Sequence, residues 1–265
     1  MKVLVTAKQV ATVDDDFEVG ADGVDEAFLE YDLNEWDEYA VEAGVSFAEQ
    51  CDDDVEVVSV TIGPEQSEET IRMVLAKGVD RAIRVWDDEL DEGALHDVET
   101  KATLLEAVAE RESPDLVLTG VQASDDGLGA TGVALAAKLD VAWAAVANAL
   151  EIDEDACTAH VRRELEGGIE EVTDVTLPGV LTIQTGINEP RYASLRGIRQ
   201  AQTKEILALD LADLDVDPAV LKRRLSVKST RVPEATDTAT LFEGEPDETA
   251  AKLAEMLRDE GVTAE

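Results

Sequence analysis

The sequence predicts an α/β fold in three layers, an open and mostly parallel sheet with helices on both faces. One observation is that short apolar runs, typical of strands buried on both faces, recur along residues 1–210. A second is that helical patterns separate these runs, since repeated strand–helix units produce parallel strands joined by right-handed crossovers. The arrangement is that of a Rossmann-like domain.

The first strand is expected at residues 2–7, a short apolar and β-branched run. An acidic, glycine-containing loop or hairpin follows at residues 11–32. A helix then begins after Asn34, whose side chain is suited to cap the free amides of the first turn. The apolar stripe of that helix recurs at helical spacing and consists of Trp36, Ala40, Ala43 and Phe47.

Turn residues mark the later elements. Gly63 and Pro64 end the second strand, Gly78 ends the second helix, and Gly167 and Gly168 separate the arms of a hairpin. The remaining strands are expected at residues 55–62, 81–86, 115–119 and 179–183. The helices are expected from residue 67, across residues 102–109 and over residues 127–139, and the hairpin at residues 161–177.

The pattern changes in the last part of the chain. Residues 211–246 show no clear period and contain several prolines, and residues 249–257 form a short amphipathic helix. A long irregular segment is unusual inside a compact domain. We therefore expect one α/β domain over residues 1–210 and, over residues 211–265, an arm that packs on another protein.

The composition is strongly acidic, with 22 Lys and Arg against 61 Asp and Glu and a net charge of −39. Such a chain repels a phosphate backbone, which excludes general nucleic-acid binding and disfavours anionic membrane surfaces. The 45% hydrophobic fraction excludes simple disorder. Self-repulsion among carboxylates is screened in molar salt, so we interpret the acidity as adaptation to a high-salt cytoplasm, a halophilic trait.

Compartment is predicted from what the chain contains. Cys51 and Cys157 are far apart and form no C-x-x-C pair, which fits a reducing compartment. The first residues lack the pattern of a signal peptide, and no apolar run approaches the roughly 18 residues of a membrane span. We expect a cytoplasmic protein with no direct membrane insertion.

Candidate binding residues lie where predicted parallel strands end, because open sheets bind ligands there, near a topological switch point. Three such exits stand out, at Thr6 with Lys8, at residues 62–64 and at residues 120–132. In the third, glycines bracket a strand-to-helix turn, so that backbone amides can approach an anion closely. These glycines are Gly120, Gly127, Gly129 and Gly132.

The polar residues of this turn fit two interpretations. Ser124 and Thr131 add hydroxyl donors to an anion site, and Asp125 and Asp126 can bond ribose hydroxyls or adenine amines. Alternatively, the segment is a flexible turn in which one of the two aspartates caps the next helix.

Catalytic motifs are missing. His96 and His160 read as solvated surface histidines, and there is neither a nucleophile elbow nor an H-E-x-x-H helix. The chain is therefore not expected to be an enzyme. Two basic clusters interrupt the acidic background at residues 190–204 and 222–231, either as partner- or phosphate-binding surfaces or as local ion pairs for the acidic face.

The first cluster contains the string Asn188-Glu189-Pro190-Arg191-Tyr192-Ala193-Ser194-Leu195, which resembles the signature of the β subunit of electron transfer flavoproteins. Further matches follow the order and spacing of that family along essentially the whole chain, here in an acidic form of haloarchaeal type. They are residues 2–5 with Lys8, Asn34 with 39–42, 63–64, 69–72, 78–81, Gly120, 122–123 with 125–126, 131–132 and 177–178.

The resemblance implies a heterodimer in which an α subunit holds most of the FAD and the β subunit, related in fold to adenine nucleotide α-hydrolases, buries a structural AMP. It implies electron transport from flavin dehydrogenases of the acyl-CoA dehydrogenase type, in fatty acid oxidation, to a membrane quinone oxidoreductase. The arm over residues 211–265 then packs on α. The nucleotide positions carried over are Thr6, Asn34, Glu35, Trp36, Asp37, Ile62, Gly120, Gln122, Ala123, Ser124, Asp125, Asp126, Gly127, Gly129 and Thr131, and Trp36 matches the position whose aromatic side chain approaches the flavin.

Residues 184–204 correspond to the family's recognition loop, with Leu195 as the apolar anchor. The partner-docking residues implied are Arg191, Tyr192, Leu195, Arg196 and Arg199. Arg196-Gly197 replace the Pro-Asn that the family often has after the leucine. Residues 128–130 replace polar residues of the AMP-binding branch, while Thr131 agrees with that branch.

Two alternatives remain. One is a bifurcating flavoprotein subunit with a second FAD in place of AMP. The other is a stand-alone adenine-nucleotide-binding protein of the stress type.

Overall fold

The structure, a computed structural model, describes residues 1–13, 17–20, 23–51, 54–90, 97–221, 225, 227–232 and 239–262. It divides into two compact units, Met1–Thr230 and Arg231–Glu265. The first contains the sheet and the candidate site. Its limit lies beyond the expected domain end at residue 210, because Leu211 and Leu214 are buried in its core.

Strands and helices alternate in the first unit. The strands are β1 (Lys2–Thr6), β2 (Gln9–Val13), β3 (Val19–Gly20), β4 (Gly23–Val24), β5 (Leu29–Leu33), β6 (Glu56–Ile62), β7 (Arg81–Val85), β8 (Leu116–Gly120), β9 (Ala142–Asp153), β10 (Thr158–Leu165), β11 (Ile169–Thr176), β12 (Gly179–Ile183) and β13 (Ile206–Leu209). The helices are α1 (Glu35–Gln50), α2 (Glu68–Ala76), α3 (Val98–Glu112), α4 (Thr131–Leu139), α5 (Leu195–Ala201) and, in the second unit, α6 (Pro246–Asp259).

Within the described residues, nine strands form one sheet in the order β11-β10-β9-β12-β8-β1-β6-β7-β13. Every neighbouring pair from β9 to β13 in that order is parallel, and the two antiparallel pairs of this sheet are β9–β10 and β10–β11. The predicted mostly parallel α/β fold is confirmed. Of the loop or hairpin expected at residues 11–32, the structure shows a hairpin, the antiparallel pair β2–β5.

Two apolar cores cover the two faces of the sheet. Val3 and Val5 of β1 face one core with α1 and α2, whereas Leu4 between them faces the other with α3 and α4. This alternation is the two-residue period of a strand buried on both sides. The three layers predicted from the sequence are therefore present.

Three elements were not predicted, namely β9, α5 and β13. In β9 the segment is rich in alanine, which favours strands weakly. Its alternation is also broken, since Val146 has φ +63° and its amide donates to the Thr182 hydroxyl at 2.9 Å where the register with β12 shifts. The helix expected from Gly127 begins only at Thr131.

The second unit contains α6, which confirms the expected short amphipathic helix. Leu253, Met256 and Leu257 lie on one face at helical spacing, and all three are partly exposed. No helix in the described ranges combines the length and apolar character that crossing a membrane requires.

Candidate functional site

A cavity opens at the carboxyl ends of β1, β6 and β8. Strand β6 lies on one side of β1 and β8 on the other, so the chain reverses its direction of progress across the sheet here. This is the switch point at which open α/β sheets bind ligands. The predicted site residues that line the cavity are Thr6, Asn34, Asp37, Ile62, Gly120, Gln122, Ala123, Asp126, Gly129 and Thr131.

Asp37 ties the two strand ends of the cavity together. In the first turn of α1 its side chain is only 4% exposed, and it accepts hydrogen bonds from the backbone amides of Lys8 at 2.8 Å and Gly120 at 3.0 Å. A Cβ on Gly120 would lie 2.7 Å from Asp37 Oδ1, so glycine permits this contact. Burial raises the pKa of Asp37 to about 6, although both amide bonds oppose the shift.

Asn34 precedes α1 but does not cap it with its side chain, and that expectation is wrong. Its Nδ2 donates to the Gln122 carbonyl at 2.8 Å, and its Oδ1 accepts from the Ser124 amide at 3.2 Å. The side chain therefore binds the loop after β8, since amide groups that meet both a donor and an acceptor are more fully satisfied than at a helix end.

Two lysines hold the acidic pair of this loop. Lys8 Nζ lies 2.5 Å from Asp125 Oδ1 and 3.0 Å from Asp126 Oδ2, and Lys101 Nζ lies 2.7 Å from Asp126 Oδ2. The aspartates do not cap the next helix, because Asp126 bonds the lysines and the Leu128 amide instead. Burial would raise the pKa of Asp126, but Lys101, the Leu128 amide and Lys8 together lower it to about 2.

Lys101 was missed by the sequence analysis. It projects from α3 into the cavity wall and is only 8% exposed. The available signal was a cation in a helix of a chain whose charges are predominantly acidic. That signal does not show whether the lysine faces the solvent or the cavity, because this depends on how α3 is rotated against the sheet.

Five of the predicted nucleotide positions do not line the cavity, namely Glu35, Trp36, Ser124, Asp125 and Gly127. Of these, Ser124 and Asp125 bond residues that do line it. Trp36 is half-buried beside the cavity, and its Nε1 donates to Gln184 Oε1 at 3.0 Å.

The predicted docking segment, residues 184–204, includes α5. Tyr192 is 97% and Leu195 78% exposed, and Ile198 is also exposed. Arg196 and Arg199 are exposed, whereas Arg191 turns inward, with Nε 2.7 Å from Glu42 Oε2 and Nη1 2.7 Å from Glu49 Oε1. For Arg191 the structure thus shows the local ion pairing that the sequence left open.

The other sequence candidates either lie outside this site or fall on residues that the structure does not describe. His160 is an exposed partner of Asp174 at 2.7 Å, which agrees with a solvated surface histidine. His96, Lys222, Arg223 and Arg224 fall outside the described residues. Among the residues that are described, no cluster of His, Cys, Asp and Glu has an arrangement suited to a metal ion.

Comparisons with known proteins agree with the resemblance seen in the motifs. A family model described as "Electron transfer flavoprotein domain" matches residues 23–214. The chain is 44% identical to the electron transfer flavoprotein subunit beta of Methylophilus methylotrophus, with 98% of each chain covered. It is 31% identical to the Bacillus subtilis subunit beta over 98% of each chain, and 36% identical to the human one over 97% of this chain and 98% of the other.

Proposed function

This chain belongs to the β-subunit family of electron transfer flavoproteins, and from that premise we propose that with its α subunit it carries electrons from flavin dehydrogenases of the acyl-CoA dehydrogenase type to a membrane quinone oxidoreductase. The similarity over nearly the full length of β subunits carries the proposal. The flavin, held mainly by α, supplies the redox chemistry when bound. The β chain contributes a clasp for α and a docking surface for the dehydrogenase, and the proposed place of action is a cytoplasm of high salt.

AMP is the proposed ligand of the β cavity. The donor set fits it, because the ammonium groups of Lys8 and Lys101 keep N–H donors for a phosphate beside their bonds to Asp125 and Asp126, and the hydroxyl of Thr131 adds another donor. Val60, Ile62 and Leu105 give the same cavity an apolar wall suited to a base. A second FAD is the alternative ligand, and AMP is favoured because Thr131 agrees with the AMP-binding branch.

The arm is proposed to pack on the α subunit. Leu253, Met256 and Leu257 form the apolar face of α6, and none of them is buried by the described part of this chain. An amphipathic helix of this kind buries its apolar face on a partner. A stand-alone nucleotide sensor has no need of such an arm, which argues against that alternative.

The first prediction concerns the nucleotides of the complex. Co-expressed with α, the chain is expected to purify as a yellow 1:1 complex that releases one FAD and one AMP on acid treatment, identified by mass spectrometry. The β chain alone is expected to be colourless, because α holds most of the flavin. Hydrogen exchange supplies a second readout, in which binding of α protects the amides of α6.

Two FAD per complex, with no AMP, would assign the chain to the bifurcating type. A β chain that never associates with α, or a complex without any adenine nucleotide in β, would overturn the proposal. A homodimer that binds ATP reversibly would instead support the stress-type protein.

The second prediction tests Lys101. Lys101→Met is expected to lower the AMP content of the purified complex at least tenfold, since removing a charge-assisted bond to a phosphate costs about 1.5–3 kcal/mol. Lys138→Met is the matched control, because Lys138 pairs with Glu99 and Glu106 away from the cavity. Full AMP content in both variants would show that Lys101 does not bind the nucleotide.

A further inference from the structure

Exposed apolar side chains cluster around α5. Tyr192 and Leu195 point largely into solvent and Ile198 is partly exposed, within a stretch of seven residues that includes the first turn of the helix. On a mobile backbone, such side chains would collapse onto nearby apolar surface. They stay exposed only where the backbone that carries them is fixed. The contacts beneath this stretch are therefore decisive for what it can recognise.

Arg72 in the middle of α2 and Lys77 at its C-terminal cap bind backbone carbonyls on either side of this stretch. Lys77 Nζ donates to the Arg191 carbonyl at 2.9 Å and also pairs with Glu38 at 2.9 Å. Arg72 Nη1 donates to the Ala201 carbonyl at 2.8 Å and to the Lys204 carbonyl at 2.5 Å. The two side chains thus hold the stretch at its beginning and at its end.

A carboxylate of α1 completes this set. Glu42 is buried and accepts bonds from Arg191 through the backbone amide at 3.1 Å and through Nε at 2.7 Å. Arg191 Nη2 also donates to Glu42 Oε1 at 3.0 Å, so the guanidinium binds the carboxylate in a bidentate manner that fixes direction as well as distance. Arg191, in a position expected to bind a partner, is consumed by the chain itself.

The helix also lies directly against the end of α2. A Cβ on Gly197 would stand 2.3 Å from the Ala76 carbonyl oxygen, so the backbones touch without an intervening side chain. Ala201 at the end of α5 is buried in the core beneath. The apolar side chains are therefore displayed from a backbone that is anchored below and at both ends.

We infer that Glu42, Arg72 and Lys77 form a brace that presents Tyr192, Leu195 and Ile198, already ordered, to the dehydrogenase. The inference rests on the proposed function. The brace residues are positioning residues in this proposal, since they act through the stretch, and their effect is to spare the complex the entropy of ordering it on binding. Apolar anchors held in this way are the usual centre of an interface.

The experiment uses the αβ complex and a flavin-dependent acyl-CoA dehydrogenase with its acyl-CoA substrate. Arg72→Met and Lys77→Met are each expected to raise the KM for the complex about tenfold and leave kcat within about twofold, because pre-organisation affects association and not the transfer step. Arg72→Lys is expected to restore most of the loss. Amides of residues 192–202 are expected to exchange faster in the Met variants, with the nucleotide content unchanged.

Two controls separate the possible failures. Leu195→Ala should raise the KM without changing hydrogen exchange in the stretch; an unchanged KM there would remove the docking function itself. Arg111→Met, which breaks a similar bond to the Asp213 carbonyl elsewhere, should alter neither readout. If Leu195→Ala raises the KM and both brace variants speed exchange without raising it, the brace plays no part in recognition and the inference is overturned.

Discussion

Asp37→Ala is expected to lower the free energy of unfolding by about 3 kcal/mol at pH 5 and to remove AMP from the purified complex. The aspartate joins the exits of β1 and β8 through the amides of Lys8 and Gly120. Without it, two buried amides lose their acceptor, and each such loss costs about 1–3 kcal/mol. The cavity lies between the same two strand ends, so binding of the proposed nucleotide is expected to fail with them.

The pH dependence of this effect has a definite sign. Burial raises the pKa of Asp37 from 3.8 to about 6, so the folded chain binds more protons than the unfolded chain between those values. The stability that Asp37 contributes is complete below pH 3.8 and falls as pH rises through 6. A shift of this size corresponds to about 3 kcal/mol, so the difference between the native chain and Asp37→Ala is expected to be smaller at pH 8 than at pH 5.

Urea unfolding at constant high salt, followed at both pH values, measures these differences. Asp80→Ala is the matched control, since the Asp80 carboxylate accepts one bond from the Val57 amide, at the opposite end of β6. That variant is expected to keep its AMP. If Asp37→Ala retained full AMP and lost less stability at pH 5 than at pH 8, Asp37 would not be the tie between the strands.

The sheet could be predicted because burial on both faces leaves a clear pattern in short strands. Val3, Leu4 and Val5 are apolar without interruption, as a strand with a core on each side requires. The same reasoning failed for β9, where the bulge at Val146 breaks the pattern and pairing with β12 supplies what local preference lacks. Local patterns thus predict central strands better than irregular ones.

The site could be located from the sequence but not assembled. The rule that ligands bind at strand exits brought Thr6, Gly120 and Thr131 to one cavity, where the structure has them. The function of each polar side chain could not be read from its position in the chain. Asn34 bonds Gln122, which lies more than sixty residues later in the sequence. Lys101 reaches Asp126 from a helix whose rotation is fixed only by the packed core.

Removal of salt is expected to unfold the protein. At 0.1 M salt the electrostatic screening length is about 10 Å, and at 1 M it is about 3 Å, so the repulsion within a chain of net charge −39 acts between neighbouring surface carboxylates only in dilute buffer. We expect a cooperative loss of helical circular dichroism as KCl is lowered from about 2 M to 0.1 M. Recovery on restoring KCl is expected, since lowering the salt changes no covalent bond and the sequence still encodes the same core.

Surface charge is the proposed cause, and a charge-changing variant and an uncharged osmolyte separate it from a bound ion and from osmotic stress. The variant Glu110→Lys, Glu151→Lys and Asp155→Lys exchanges three exposed carboxylates and moves the net charge from −39 to −33. It should fold at a lower KCl concentration than the native chain, whereas sucrose at equal osmolality should not replace KCl. If repulsion among carboxylates is the cause, a less charged chain needs less KCl to fold. An identical KCl midpoint for the variant and the native chain would therefore contradict it.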